Sequence, residues 1–167
     1  SDRIGPASGI AFHSNYDWRL VMIVIPARNG WEISMVSFRR GEYIVEELTE
    51  YLEKVGADTG LITSGIGSTD ICKIHTILDT GLPPKERFTT IEGPGELSSV
   101  LGNVAGGVPH IHVTVHDVLK NEVHSGHLEP GTRCCYRVEI GLILFKDVRT
   151  VRQVFPETGL IDIIAAE

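Results

Sequence analysis

"PHIHVTVHDVLKNEVHSGHL", residues 109–128, carries His110, His112, His116, His124 and His127, five of the seven histidines in the chain. The stretch alternates as a β-strand does, with Ile111, Val113 and Val115 on one face and His110 and His112 on the other, about 6–7 Å apart at Cα. A turn near Leu119, Lys120 and Asn121 returns the chain into "EVHSGHL". In an antiparallel hairpin, directly opposed residues share a face. A two-residue turn at Leu119–Lys120 sets His127 opposite His112. Any even-length loop without a bulge keeps His110, His112 and His127 on one face and sends His124 to the other. Ser125–Gly126 could host a bulge that changes this detail. His116 has the right parity but lies ~13 Å from His112 along the strand, outside any shared site.

Three imidazoles converging from two strands match the three-histidine set of a zinc centre with an open fourth position. Iron, manganese, nickel and copper accept imidazole as well, so the metal stays open at this point. The same residues also fit a polar strand face turned to solvent, or hydrogen-bonded core histidines.

Outward from the hairpin, most of the chain reads as strand. "LVMIVIPA" (20–27) and "WEISMVSFRR" (31–40), joined at Asn29–Gly30, are expected to form a hairpin. One helix follows: Ile44, Leu48, Tyr51, Leu52 and Val55 recur at helical spacing, with Gly56 as the stop. "LITSGIGS" and "DICKIHTIL" are expected as two strands broken at a glycine-containing turn. "GLPPKERFTTIEGPGE" is expected to be largely loop or edge. "ELSSVLGNVA" (96–105) fits a strand or a short helix, and "RCCYRVEIGLILF" a further strand. The expected architecture is α+β: a mostly antiparallel sheet of about seven or eight strands with one main helix. Gly65-Ile66-Gly67 lacks the spacing of a dinucleotide or phosphate loop and reads as turn geometry.

At 167 residues, with 42% hydrophobic and 22% charged residues, the expectation is a single domain, 1–167. No run approaches the ~18 apolar residues of a membrane span, and the start lacks the order of a signal peptide; a cytoplasmic protein is expected. Cys72, Cys134 and Cys135 offer neither a disulfide framework nor a Cys-x-x-Cys site, and are expected as small buried or half-buried side chains. A formal charge of −7, with Arg39–Arg40 the only basic pair, argues against a free-standing DNA-binding surface.

Taken in order, the helix after "FRRGE", "GIGS", "ELSSVLGNVA", "HIHVTV", "HSGHLEPG" and "VEIGLILF" resemble the plant and prokaryote conserved (PPC) domain, also called the domain of unknown function 296. The resemblance runs from about Ser37 to Ile164, with residues 1–18 as an N-terminal extension. His110, His112 and Gly126-His127-Leu128 match the prokaryotic branch's His-x-His and Gly-His-Leu pattern. The resemblance implies a fold similar to a zinc-dependent acetolactate decarboxylase, a homotrimer, and sites near subunit interfaces. It also implies a DNA-binding label, which in the plant branch comes with a basic AT-hook absent from this sequence. The plant Arg-Phe-Glu-Ile-Leu motif is met only by Pro94-Gly95 ahead of Glu96-Leu97.

With a metal on the three histidines, a nearby carboxylate would serve as proton shuttle. Glu96 is the candidate because the resemblance marks its position; Glu92 and Glu139 are weaker choices. His124 fits an exposed histidine or a supporting group, His75 a hydrogen-bonded strand residue, and Arg87 a loop cation that could meet an anionic substrate. Two functions follow. One is a metal-dependent lyase or hydrolase acting on a small carbonyl or carboxylate compound. The other is a non-catalytic, DNA-associated or regulatory trimeric module.

Overall fold

The computed structural model describes residues 25–27, 30–156 and 158–166. The elements are β1 (Trp31–Arg39), α1 (Ile44–Lys54), β2 (Thr59–Ile77), β3 (Glu86–Ala105), β4 (Val108–Asp117), β5 (Glu122–Leu128), β6 (Arg133–Phe145), β7 (Thr150–Val154) and β8 (Ile161–Ala165). Among the described residues, one helix and eight strands, every pairing antiparallel, make the α+β architecture that the alternation predicts.

The main sheet runs β1-β6-β2-β3-β4-β5, and β5 also meets the far end of β2, so that β2 to β5 close into a ring. That closure joins Ile74 to Leu128 and His75 to His127. β7 and β8 form a separate two-stranded hairpin.

The helix packs one stripe into the core. Ile44, Leu48 and Leu52 are completely buried, each contributing roughly 1.5–3 kcal/mol of apolar burial. Tyr51 packs partly against this cluster, while Val55 lies beyond the helix as its C-cap and is exposed. The cap Tyr43 offers no side-chain bond; the Ile44 N–H instead donates to the Thr132 carbonyl at 3.0 Å. Gly56, at φ +66°, stops the helix, as expected. Ile62, Cys72, Ile74, Val100, Ile111, Val113, Val138 and Ile140 complete the core from the sheet. Cys72 and Cys134 are buried and Cys135 half-buried, as their alternation on a strand requires.

Two sequence expectations need correction, and one left open is settled. "LITSGIGS" and "DICKIHTIL" are one strand. Gly67, at φ +150°, lies where a Cβ would stand 2.3 Å from the Arg137 carbonyl oxygen, so glycine permits close strand approach and a bend. Register shifts at 62/64, 67/69 and 69/71 absorb that bend without ending the strand. The Pro/Gly-rich stretch is strand from Glu86 onward, because Gly93–Pro94 sits at the register shift opposite Thr69–Ile71, where a ladder N–H is dispensable. "ELSSVLGNVA" is strand throughout. The expected partner strand of β1 falls mainly on residues outside those described, and residues 25–27 are not strand. β1 pairs instead with β6.

Candidate metal centre

The β4–β5 hairpin turns through four residues, Val118 to Asn121, rather than two. An even count preserves the parity, and His112 opposes His127 with no bulge at Ser125–Gly126. The turn is fixed locally. Asp117, buried at the end of β4, accepts the Lys120 N–H at 3.2 Å and pairs with its ammonium at 3.2 Å. Asn121 takes the left-handed conformation at φ 55° that this residue tolerates.

His110, His112 and His127 come together on the outer face of the sheet. Ring centroids lie 5.3 Å apart for His110–His112, 4.8 Å for His110–His127 and 5.7 Å for His112–His127. One nitrogen from each lies within 4.8 Å of the other two. The Nε2 atoms of His110 and His112 are 3.3 Å apart. Two nitrogens bound tetrahedrally to one zinc at about 2.0–2.1 Å would be separated by about 3.3–3.4 Å. The donor spacing therefore fits a metal already at one edge.

Burial first, then the neighbouring His110 and His75, push the His127 pKa down to about 4, with Glu129 pulling the other way. Burial, followed by His112, Arg152 and His75, lowers that of His110. Both imidazoles are therefore neutral at pH 7, with a lone pair free for a ligand role.

Closure of the ring adds two residues to this cluster. His75, opposite His127 on β2, has its ring 4.7 Å from that of His127. Its Nδ1 meets Glu129 Oε1 at 2.5 Å, and His127 Nε2 lies 3.8 Å from the same oxygen. His75, His127 and Glu129 thus form a second overlapping donor set. The expectation of a hydrogen-bonded His75 holds, but its partner and its place beside the histidines were not foreseen. His127-x-Glu129 was the available signal, since residues two apart on a strand share a face.

The other candidates lie apart. Glu96 is exposed and opposes His116, four residues beyond His112 and therefore about 13 Å away along the strand. Glu92 is exposed opposite Ile71, and Glu139 pairs with Arg137 at 3.3 Å. Arg87 is exposed on β3 opposite Thr76, a strand position rather than the expected loop. His116 Nε2 is 3.1 Å from Asn121 Oδ1, and His124 pairs with Glu122 at 3.4 Å. Among the described residues, no helix is long and apolar enough to cross a membrane.

Fold and site together define a small α+β domain whose sheet face gathers imidazoles from adjacent strands. The chain belongs to the Plants and Prokaryotes Conserved (PCC) domain family, whose signature matches residues 26–146. That match starts earlier than the sequence resemblance suggested and ends before β7. Three solved structures share the fold. A metal-containing protein from Archaeoglobus fulgidus is 23% identical, with a TM-score of 0.72 over 84% of this chain and 98% of its own. A plant- and prokaryote-conserved protein from Pyrococcus horikoshii is 24% identical, with a TM-score of 0.67 over 89% and 98%. A protein from Bacteroides thetaiotaomicron that carries a provisional DNA-binding label is 20% identical, with a TM-score of 0.67 over 85% and 96%. No curated protein matches the sequence.

Proposed function

We propose that His110, His112 and His127 hold a divalent metal, zinc in the first instance, and that the centre binds or transforms a small carbonyl or carboxylate compound in the manner of a lyase or hydrolase. The observation that carries this reading is the convergence of three imidazole donors within 4.8 Å of one another, two of them kept neutral by burial and neighbouring charge. The metal-containing relative from Archaeoglobus fulgidus supports it by analogy of fold. A closed structural zinc site uses four protein ligands; three leave a position for a ligand. There the metal would supply a Lewis acid. The chain's part is to orient three lone pairs and to keep the His75–Glu129 pair beside His127, where it can hold a proton. Glu96 could act as the proton shuttle only from another subunit, given its separation from His112 within one chain.

The same reading includes a homotrimer. Among the described residues, β1 forms one edge of the main sheet and exposes Trp31, Ile33 and Met35, which are 62%, 73% and 73% accessible. An exposed apolar row on a sheet edge is a surface that proteins cover. An Ile33→Asp, Met35→Asp double variant should shift light-scattering mass from three chains toward one; an unchanged mass would remove this edge from the assembly.

Metal uptake tests the centre. After zinc loading and desalting, elemental analysis should find about one zinc per chain in the native protein and near none in His112→Ala. Equal zinc in both would refute the ligand set. The DNA-associated alternative rests on the label of the Bacteroides relative and runs against the −7 charge. A salt-dependent gel shift at micromolar protein would favour it, and no shift would remove it.

A further inference from the structure

His127 belongs to two donor sets, one with His110 and His112 and one with His75 and Glu129. A neutral imidazole has one lone pair and one N–H, so a single ring cannot serve a metal on both sides. Distances decide which set takes the metal. Two donors on one zinc stand about 3.3–3.4 Å apart, and the Nε2 atoms of His110 and His112 meet that at 3.3 Å. His75 Nδ1 and Glu129 Oε1, at 2.5 Å, are too close to share an ion and form a hydrogen bond instead. The second set therefore faces the N–H end of His127.

Glu129 is held in place from three directions. Its N–H donates to the Lys73 carbonyl at 2.9 Å, and its own carbonyl accepts the hydroxyl of completely buried Thr132 at 2.9 Å. Thr132 in turn accepts the Lys73 N–H at 3.0 Å, so the turn after β5 is tied to β2 two residues before His75. The carboxylate is then clamped by His75, whose ring has Phe88 at 5.3 Å and His127 at 4.7 Å. Glu86 lies farther off, 3.9 Å from His75 Nε2, and leaves the Nδ1 bond as the one that aims this ring. A carboxylate oxygen accepts two bonds. Glu129 Oε1 lies 3.8 Å from His127 Nε2, about 0.8 Å beyond an ordinary hydrogen bond, a gap that a small ring rotation closes.

We propose that Glu129, clamped by His75, is a positioning residue for His127: it keeps the N–H of that ring on Nε2 and so presents Nδ1 to the metal, while His110 and His112 bind through Nε2. A metal-bound histidine normally donates its other N–H to a carboxylate, which fixes the ring and raises the basicity of the ligating nitrogen. Glu129 is acceptor-only when ionised, so the nitrogen it faces is the one that carries hydrogen. The clamp spans the β2–β5 seam, so the closure that brings His75 opposite His127 also sets the ligand atom. The assignment deepens the function proposed above and rests on that reading for the metal itself.

The test follows the histidine ring nitrogens of isotopically labelled full-length protein by long-range proton–nitrogen correlation, metal-free and zinc-loaded. With zinc, His127 Nδ1 and the Nε2 atoms of His110 and His112 should move to metal-bound resonance positions, and the His127 Nε2–H should exchange slowly with water. Glu129→Ala should make that proton exchange like one on an exposed imidazole and weaken zinc by about 10- to 100-fold in chelator competition. Glu129→Gln, which keeps an acceptor oxygen, should recover part of both. His75→Phe, which keeps a ring but releases the carboxylate, should fall between the native protein and Glu129→Ala. An unchanged backbone amide spectrum elsewhere reports that each variant has folded. Zinc on His127 Nε2, or a Glu129→Ala protein that matches the native one in exchange and affinity, would overturn the assignment. The metal-free spectra carry the Glu129 part alone: native His127 should be the Nε2–H tautomer and Glu129→Ala a mixture, and identical tautomers would overturn it whatever the zinc result. A native protein that takes up no zinc overturns the metal reading and, with it, the choice of ligand atom.

Discussion

Replacing Gly126 with alanine probes the seam on which the site depends. Gly126 lies on β5 next to His127, against the end of β2. A Cβ there would stand 2.5 Å from the His75 carbonyl oxygen, 2.9 Å from Thr76 Cγ2 and 3.2 Å from the His75 carbonyl carbon. Carbon and oxygen in neighbouring strands normally approach to about 3.3 Å, so β2 and β5 must part by about 0.8 Å. The first obstacle is backbone, which cannot rotate aside, and overpacking of this kind costs about 1–3 kcal/mol. The seam contains only the pairs Ile74–Leu128 and His75–His127, supported by the Glu129 N–H to Lys73 carbonyl bond at 2.9 Å. It has little length over which to spread the displacement. Metal sites tolerate ligand displacements of about 0.2 Å, so moving His127 should weaken zinc by about 10- to 100-fold. Urea unfolding gives the stability change, and chelator competition gives the zinc affinity. If Gly126→Ala matches the native protein in both, β5 is not held against β2 as described.

Leu48→Ala removes a completely buried side chain from the helix stripe and should cost about 2–5 kcal/mol in urea unfolding; a loss below about 1 kcal/mol would mean the helix is not seated in the core. The acid limb of stability should depend on Asp70. Its bonds from Arg133 at 2.9 and 3.0 Å hold the carboxyl below its ordinary 3.8. A depressed folded-state pKa contributes stability that is complete above the unfolded value and lost as pH falls through the folded one. The native protein should therefore lose more stability than Asp70→Asn between about pH 5 and pH 2. Parallel urea midpoints across that range would contradict the pairing.

The hairpin was legible because its information is local. A period of two, an even loop and an apolar inner face determine which histidines meet, whether the turn has two residues or four. Helix α1 was legible for a similar reason, its apolar stripe being written within eleven residues. His75 and Glu129 were hidden because they enter through the β2–β5 closure, a contact between segments more than fifty residues apart that no periodicity encodes. Pro94 and the Gly65–Gly67 pair misled in the opposite direction: such residues usually mark turns, and here they sit in strands at bends and register shifts.

The central claim is that the three imidazoles are ligands. Its most direct test is an anomalous-scattering map from crystals of zinc-loaded protein, collected on both sides of the zinc edge. The account predicts one strong peak per chain, about 2.0–2.1 Å from a nitrogen of each of His110, His112 and His127. A map with no peak there, or with the zinc held only by His75 and Glu129, would contradict it.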